Sequence, residues 1–336
     1  MFMNIAINGF GRIGRAVFKI LLDKKRNINI VAINDLADTK ILAHLLKHDS
    51  CYEKYQKTVN SVADNLVVNN KKYKVLSEKN PAKLPWHKMG VDIVLECTGR
   101  FRTKKEAELH LKAGAKKVII SAPAKDENIK TVVFGVNENE IKKTDKIISM
   151  ASCTTNCLAP VMKIIEDNFG IQKAVMTTTH SYTADQNIVD SPHKDFYRAR
   201  AGAVNIIPTT TGAAVATAKI MPQLNNKFDG MAIRVPTPVV SLCDIVCVLK
   251  TKTDEQTVKQ FIKKAIFKKC YKNIIKTTEE PLVSSDFIGD PASAIIALPL
   301  IKVIDKDLLK IIAWYDNEWG YSNRLVELCE HVEKTL

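Results

Sequence analysis

The sequence predicts an α/β chain of two domains, the first a doubly wound parallel sheet of Rossmann type. Three observations carry that prediction. A short apolar run, a glycine-rich turn and a helix-period pattern stand in that order at the start. Apolar runs then alternate with helical stretches through the first half, the signature of parallel strands with crossover helices. At 336 residues the chain is about twice the usual domain length.

The first element is Asn4 to Asn8, an apolar strand followed by Gly9-Phe10-Gly11-Arg12-Ile13-Gly14 and the helical spacing Ile13, Val17, Ile20, Leu21. Strand, glycine turn and helix together make a dinucleotide site, since Gly9, Gly11 and Gly14 let backbone approach a pyrophosphate at the helix N-terminus. A second strand, Ile28 to Ile33, ends in Asn34-Asp35. Asp35 stands where a carboxylate accepts ribose hydroxyls and repels a 2′-phosphate, which favours NAD over NADP. Two more apolar runs follow, Val91 to Glu96 ending in Cys97-Thr98-Gly99, and Lys117 to Ile120 ending in Ser121-Ala122-Pro123. Ligands of open parallel sheets bind at the carboxyl ends of the strands, so Thr98 and Ser121 are expected at the cofactor.

The stretch Ala151-Ser152-Cys153-Thr154-Thr155-Asn156-Cys157 presents a thiol among hydroxyls, after an apolar run and before a helical one. A helix N-terminus stabilises a thiolate, so Cys153 is the expected nucleophile, with a lowered pKa. Its helix carries Leu158, Val161, Met162, Ile164 and Ile165, is expected to be kinked or fixed by Pro160, and stops near Asn168-Phe169-Gly170. The β-branched run Ala174 to Thr179 then places His180 at a strand end, as the expected base for Cys153. Ser181 to Asn205 is a long irregular segment holding Thr183, Arg198 and Arg200, a composition suited to phosphate oxygens. Thr209-Thr210-Thr211-Gly212 before an Ala-rich helix, and Arg234-Val235-Pro236-Thr237 at a strand end, are further anion candidates.

Composition narrows the class. The chain is 46% hydrophobic and 26% charged, with no low-complexity tract. No apolar run approaches a membrane span and no secretory leader precedes Asn4, so a cytoplasmic protein is expected. Eight cysteines are too sparse for a disulfide framework. Cys153/Cys157, Cys243/Cys247 and His44/His48 each repeat at four residues without a third ligand, so no metal site is expected. Cys243 and Cys247 lie in the run Val239 to Leu249 at strand period and are expected in the core. The net charge of +14 is spread in short runs such as Lys24-Lys25-Arg26, Lys104-Lys105 and Lys263-Lys264, which argues against nucleic acid as the main partner.

Five motifs stand in order along the chain: Asn8 to Arg15, Ala151 to Pro160, Asn205-Ile206-Ile207-Pro208, Arg234-Val235-Pro236-Thr237 and Trp314-Tyr315-Asp316-Asn317-Glu318-Trp319-Gly320-Tyr321-Ser322. On these motifs the chain resembles, over essentially its whole length, the phosphorylating glyceraldehyde-3-phosphate dehydrogenases of bacterial type. The resemblance implies a cytoplasmic homotetramer using NAD, glyceraldehyde-3-phosphate and inorganic phosphate. It implies a Rossmann NAD-binding domain over 1–152, an α+β catalytic domain with a mixed or antiparallel sheet over 153–319, and a helix over 320–336 returning to the first domain. By motif position, Cys153 is the nucleophile and His180 its base, while Thr183 and Arg234 hold the substrate phosphate. Ser152, Thr154, Thr211, Gly212 and Arg198 serve the attacking phosphate. Arg12, Ile13, Asp35, Thr98, Ser121 and Asn317 line the cofactor site, Asn317 orienting the nicotinamide amide.

The chain departs from the family pattern at Val215, where lysine is usual, at Cys51-Tyr52-Glu53 in place of a frequent His-Gly pair, and at Ser191 before Pro192, where NAD-type members often carry leucine. Three rival readings remain at this stage. Erythrose-4-phosphate dehydrogenase shares most of these motifs, a cysteine hydrolase needs Cys153 and His180 but no dinucleotide domain, and a secondary RNA-binding role would draw on the positive charge.

Overall fold

The structure, a computed structural model, describes residues 2–24 and 27–336; Met1, and Lys25 and Arg26 of the first basic run, lie outside the described residues. Two compact units are present. One comprises the residues up to Val132, Asn139–Ala151 and Ser322–Leu336, and the other Val133–Glu138 and Ser152–Tyr321.

The first unit is built on a nine-stranded sheet. Its order is Val59–Val62, Asn65–Val68, Lys71–Leu76, Ile28–Asn34, Met3–Asn8, Ile93–Glu96, Lys117–Ile120, Ile147–Ser149 and Lys130–Thr131. From Lys71–Leu76 onward every pairing is parallel. Ile93–Glu96 and Lys117–Ile120 are buried throughout, as strands covered on both faces must be. The first two strands pair antiparallel with their neighbours, an edge the sequence reading did not foresee. Its signal was present: Asn69 and Asn70 both take positive φ, at 47° and 66°, the requirement of a two-residue hairpin turn. The register aligns Asn8 with both Asn34 and Glu96, so three polar residues meet side by side at the carboxyl ends of the central strands.

The second unit holds a mixed sheet ordered Ile207–Thr210, Phe228–Val235, Ile171–Ser181, Ser241–Leu249, Leu308–Tyr315, Ala294–Ala297 and Ile275–Thr278, with Lys302–Ile304 beside Leu308–Tyr315. Two pairings are parallel, Ile171–Ser181 with Phe228–Val235 and Ile275–Thr278 with Ala294–Ala297. The helix Cys153–Phe169 lays Leu158, Val161, Met162 and Ile165 into one core with Met176, Ile245 and Leu249 of the sheet. Pro160 lies buried inside that helix, and the helix stops at Gly170 with φ 65°. Ser241–Leu249 alternates strictly between buried and half-buried positions, and both Cys243 and Cys247 fall on the buried side, as core packing requires. Over residues 182–206 the chain forms no helix or strand.

Candidate active site

In the first unit the glycine turn and the strand ends enclose a cleft of about 490 Å³ lined by Gly9, Gly11, Asp35, Thr98, Glu78 and Phe101, among others. Each glycine has its own reason to be there. Gly9, at φ +92°, packs so closely on the next strand end that a Cβ would stand 2.7 Å from the Thr98 amide nitrogen, and at Gly14 a Cβ would stand 2.2 Å from the Gly9 carbonyl oxygen. Gly11, which begins the helix Arg12–Asp23, faces open space instead. It is the glycine at which a ligand backbone or phosphate has room to approach. Asp35 is held by two backbone donors, Phe10 N–H to Oδ2 at 2.7 Å and Ala37 N–H to Oδ1 at 2.9 Å. That grip fixes its carboxylate on the cleft wall, where it fits a ribose diol.

Arg12, Ile13 and Ser121, also expected at the cofactor, belong to the first unit without lining this cleft. Arg12 donates to Asp49 at 2.8 Å with its guanidinium over the Tyr52 ring, and Ser121 sits beside Cys97, to which its hydroxyl is bonded. Ile13 is half-buried in the first turn of the helix. Asn317 belongs to the second unit; its Oδ1 accepts from the hydroxyls of Ser181 at 3.1 Å and Ser241 at 3.2 Å. With the oxygen so held, Nδ2 is the side chain's remaining donor, the group a carboxamide oxygen would meet.

In the second unit Cys153 is the first residue of its helix, and Ser152 caps that helix by accepting from the Thr155 amide at 3.0 Å. The preceding Ala151 is buried at φ 55°, a left-handed conformation that an alanine adopts under constraint and that turns the chain sharply from strand into helix. Cys153 Sγ lies 3.5 Å from His180 Nε2. On its other side, His180 Nδ1 lies 2.7 Å from the Ser181 carbonyl oxygen and 2.6 Å from Arg234 Nη1. Arg234 donates to that same carbonyl at 2.9 Å. Nδ1 thus lies between an acceptor, the Ser181 carbonyl, and a donor-only guanidinium; in the tautomer whose ring proton points to Ser181, Arg234 donates to that carbonyl alone and Nε2 presents its lone pair to the thiol, the arrangement a general base needs.

The electrostatics correct one expectation. Burial pushes the Cys153 thiol up to about 11, against the pull of Arg234 and of the Thr154 hydrogen bonds, rather than leaving it lowered by the helix end. Burial, followed by the Arg234 charge, pushes His180 down to about 3. The resting pair is therefore a neutral thiol beside a neutral imidazole. Sulfur becomes a nucleophile as its proton moves to Nε2, not before.

Of the residues expected to hold anions, Arg234 touches this pair and the charge of Arg198 is felt at His180. Arg234 faces His180 across two parallel strands in register, is half-buried, and its buried Nε has no hydrogen-bond partner among the described residues. A buried unsatisfied guanidinium donor is what an anion would satisfy. Thr183 follows Tyr182, whose amide donates to the Thr237 carbonyl at the end of the Arg234 strand. Arg198 is drawn to Thr209 Oγ1 at 3.0 Å and the Thr210 carbonyl at 3.2 Å, immediately before Thr211 and Gly212, and also pairs with Asp185 and Asp195. Gly212 opens the helix Ala213–Ile220, and a Cβ there would meet nothing. Thr154 lies buried with its hydroxyl 3.0 Å from that of Tyr315. Arg200 turns away to an exposed pairing with Asp190.

Comparison with known proteins settles the kinship. Residues 3–104 match the family model described as the NAD binding domain of glyceraldehyde 3-phosphate dehydrogenase, and residues 152–317 match its C-terminal domain. The chain belongs to the glyceraldehyde-3-phosphate dehydrogenase family. It is 52% identical to the glyceraldehyde-3-phosphate dehydrogenase of Streptomyces coelicolor, over the full length of both chains. It is 50% identical to that of Geobacillus stearothermophilus, over 99% of this chain and 98% of the relative, and 50% identical to glyceraldehyde-3-phosphate dehydrogenase 1 of Bacillus subtilis, over 99% of both. As a member of this family the chain is an NAD-dependent dehydrogenase.

Several residues at these two sites escaped the sequence reading. Tyr315 joins Thr154 and Thr178 through its hydroxyl, and Ser181 and Ser241 hold Asn317. Ser and Thr are too common to single out by type, and these meet only through strand pairing. The departures from the family pattern divide. Tyr52 carries the Arg12 guanidinium 5.4 Å above its ring, a cation–π contact that accounts for an aromatic residue there. Glu53 takes φ 61°, a conformation natural to the glycine it replaces. Val215 lies exposed on the helix Ala213–Ile220, and nothing in the structure explains it.

Proposed function

We propose that this chain catalyses the NAD-dependent oxidative phosphorylation of glyceraldehyde-3-phosphate to 1,3-bisphosphoglycerate through a Cys153 thioester. The observation that carries the reading is the 3.5 Å approach of Cys153 Sγ to His180 Nε2, with Arg234 in register beside the base. A thiol, a base and a half-buried cation are what attack on a phosphorylated aldehyde needs.

Sulfur bonds to the aldehyde carbon as the thiol proton passes to His180 Nε2, and His180 returns that proton to the new alkoxide oxygen. The hemithioacetal hydroxyl then gives its proton back to His180 as hydride leaves the carbon, and the carbonyl reforms as a thioester. NAD, when bound, supplies the hydride acceptor. An oxygen of inorganic phosphate attacks the thioester, the carbon–sulfur bond breaks, and the departing thiolate recovers the proton held by His180. Arg234 and Thr183 hold the substrate phosphate in this scheme, while Ser152, Thr154, Arg198, Thr211 and Gly212 serve the attacking one. Asp35, Thr98 and Gly11 would hold the adenosine and pyrophosphate portion of NAD, supported by Arg12, Ile13, Gly9, Gly14 and Ser121, and Asn317 would meet the nicotinamide amide.

A cytoplasmic homotetramer completes the proposal. Phe196, Val204 and Ile206 of the irregular segment are 89%, 76% and 73% exposed in the single chain, an apolar surface that association of copies would cover. The experiment is NADH formation from glyceraldehyde-3-phosphate with and without inorganic phosphate, repeated with erythrose-4-phosphate and with NADP. Strong dependence on phosphate and on the three-carbon aldehyde supports the reading. Indifference to phosphate, or faster turnover of the four-carbon sugar, moves the chain to the erythrose branch.

A further inference from the structure

Beneath the cleft of the first unit lies a buried charged group that the reaction above does not use. Glu96 is 1% exposed, and its carboxylate accepts from four donors. Thr98 gives both its amide, to Oε1 at 2.8 Å, and its hydroxyl, to the same oxygen. Asn8 Nδ2 reaches Oε2 at 2.5 Å and His110 Nε2 reaches it at 3.1 Å.

The direction of every bond in this network is forced from its ends. The Glu78 amide can only donate, and it donates to Asn34 Oδ1 at 2.9 Å. Asn34 must then offer Nδ2 to Asn8 Oδ1, at 2.7 Å, and Asn8 must turn its own Nδ2 to Glu96. From the other side, Trp86 Nε1 can only donate, and it donates to His110 Nδ1 at 3.0 Å, which leaves the ring proton on Nε2 for Glu96. Four of the residues tied together here, Asn8, Asn34, Glu78 and Thr98, line the cleft. Gly9, also on its wall, is wedged against Thr98.

We infer that Glu96 is a positioning residue for the cofactor: one buried carboxylate sets the spacing of the two walls between which NAD binds. The backbone ladder runs as far as Gly9 N–H to the Asn34 carbonyl at 2.8 Å and Cys97 N–H to the Asn8 carbonyl at 2.7 Å, and beyond these bonds the separation of the two walls depends on side chains. Here a single acceptor fixes the Thr98 wall directly and the Asn34 wall through Asn8. Only a carboxylate can do so, because a glutamine placed there turns its NH₂ either toward Thr98 or toward Asn8 and His110, and donor then faces donor.

The inference rests on the reading of this cleft as the NAD site, and the test separates the two. NAD affinity is measured by titration on wild type, Asp35→Ala, Glu96→Gln, Thr98→Val and Thr98→Ser, with thermal unfolding recorded without NAD and alkylation of Cys153 as the second readout. Glu96→Gln is expected to weaken NAD about tenfold or more, Thr98→Val less, and Thr98→Ser, which keeps both donors, to restore wild-type binding. Alkylation of Cys153 without NAD stays at the wild-type rate. If Asp35→Ala weakens NAD while Glu96→Gln and Thr98→Val bind it normally, the positioning role is wrong and the cofactor reading stands. If Asp35→Ala also binds normally, the cofactor reading itself falls. Should Glu96→Gln fail to fold, NAD titration on Asn8→Ala, which unties the Asn34 wall from Glu96 and leaves Thr98 in place, decides: an affinity equal to wild type overturns the inference, and a loss upholds it.

Discussion

In the proposed reaction, the half-buried Cys153 thiol and the buried His180 ring, 3.5 Å apart, set the chemistry at the scale of the residue. Cys153 and His180 are both neutral at rest because burial disfavours the charged form of each. Arg234 breaks the symmetry, since its charge favours a thiolate and opposes an imidazolium. An anionic substrate seated on Arg234 offsets that opposition, so substrate binding makes His180 a better base. Cys153→Ser is expected to lose activity by at least ~10³-fold while NAD titration remains normal, because a hydroxyl is a far weaker nucleophile. His180→Asn is expected to lower kcat by about 10²–10⁴-fold and to slow alkylation of Cys153 near neutral pH. If alkylation of the wild type and of that variant follows one pH profile, His180 is not the thiol's partner. The same histidine affects stability. Its folded pKa lies at about 3, below the ordinary 6.5, so between these values the unfolded chain binds a proton that the folded chain does not. Stability therefore rises with pH across that window, by up to about 1.4 kcal/mol per unit from this group. Urea unfolding from pH 4 to 7 should show this slope in wild type and its loss in His180→Asn.

At the scale of the element, short stretches of backbone aim these residues. The helix Cys153–Phe169 starts where it does because Ser152 caps it and Ala151 makes the turn. Ser152→Ala removes the cap and is expected to lower stability by about 1 kcal/mol in denaturant titration. The glycine turn tolerates less. Gly14→Ala places a methyl 2.2 Å from the Gly9 carbonyl and must displace the turn that forms the cleft floor. NAD binding should fall well over tenfold in that variant, and calorimetry reads it directly. An unchanged affinity would mean that the cofactor does not use this turn.

At the scale of the whole molecule, the proposed reaction draws on residues of both units, the cleft in one and the thiol site in the other. Light scattering is expected to give the mass of four chains, and Phe196→Asp, which places a charge on the exposed apolar segment, to lower it. A monomeric wild type would remove the tetramer. No helix among the described residues is long and apolar enough to cross a membrane.

What the sequence determined by itself was the local chemistry. The Gly9 to Gly14 turn, Asp35 after its strand, and Cys153 opening a helix were legible because each depends on neighbours within one turn or one strand end. The strands Ile93–Glu96 and Lys117–Ile120 were legible for the same reason, as short apolar runs between turn residues. Tertiary structure decided the rest. The pairing of Ile171–Ser181 with Phe228–Val235 puts Arg234 against His180 from 54 residues away. The crossing of Val133–Glu138 into the second unit, and the gathering of Asn8, Asn34, Glu96 and His110 under the cleft, depend likewise on which strands lie adjacent. The thiol's raised pKa belongs here too: the sequence shows the helix end that lowers it, but burial is a property of everything packed around the sulfur, and burial is the larger effect.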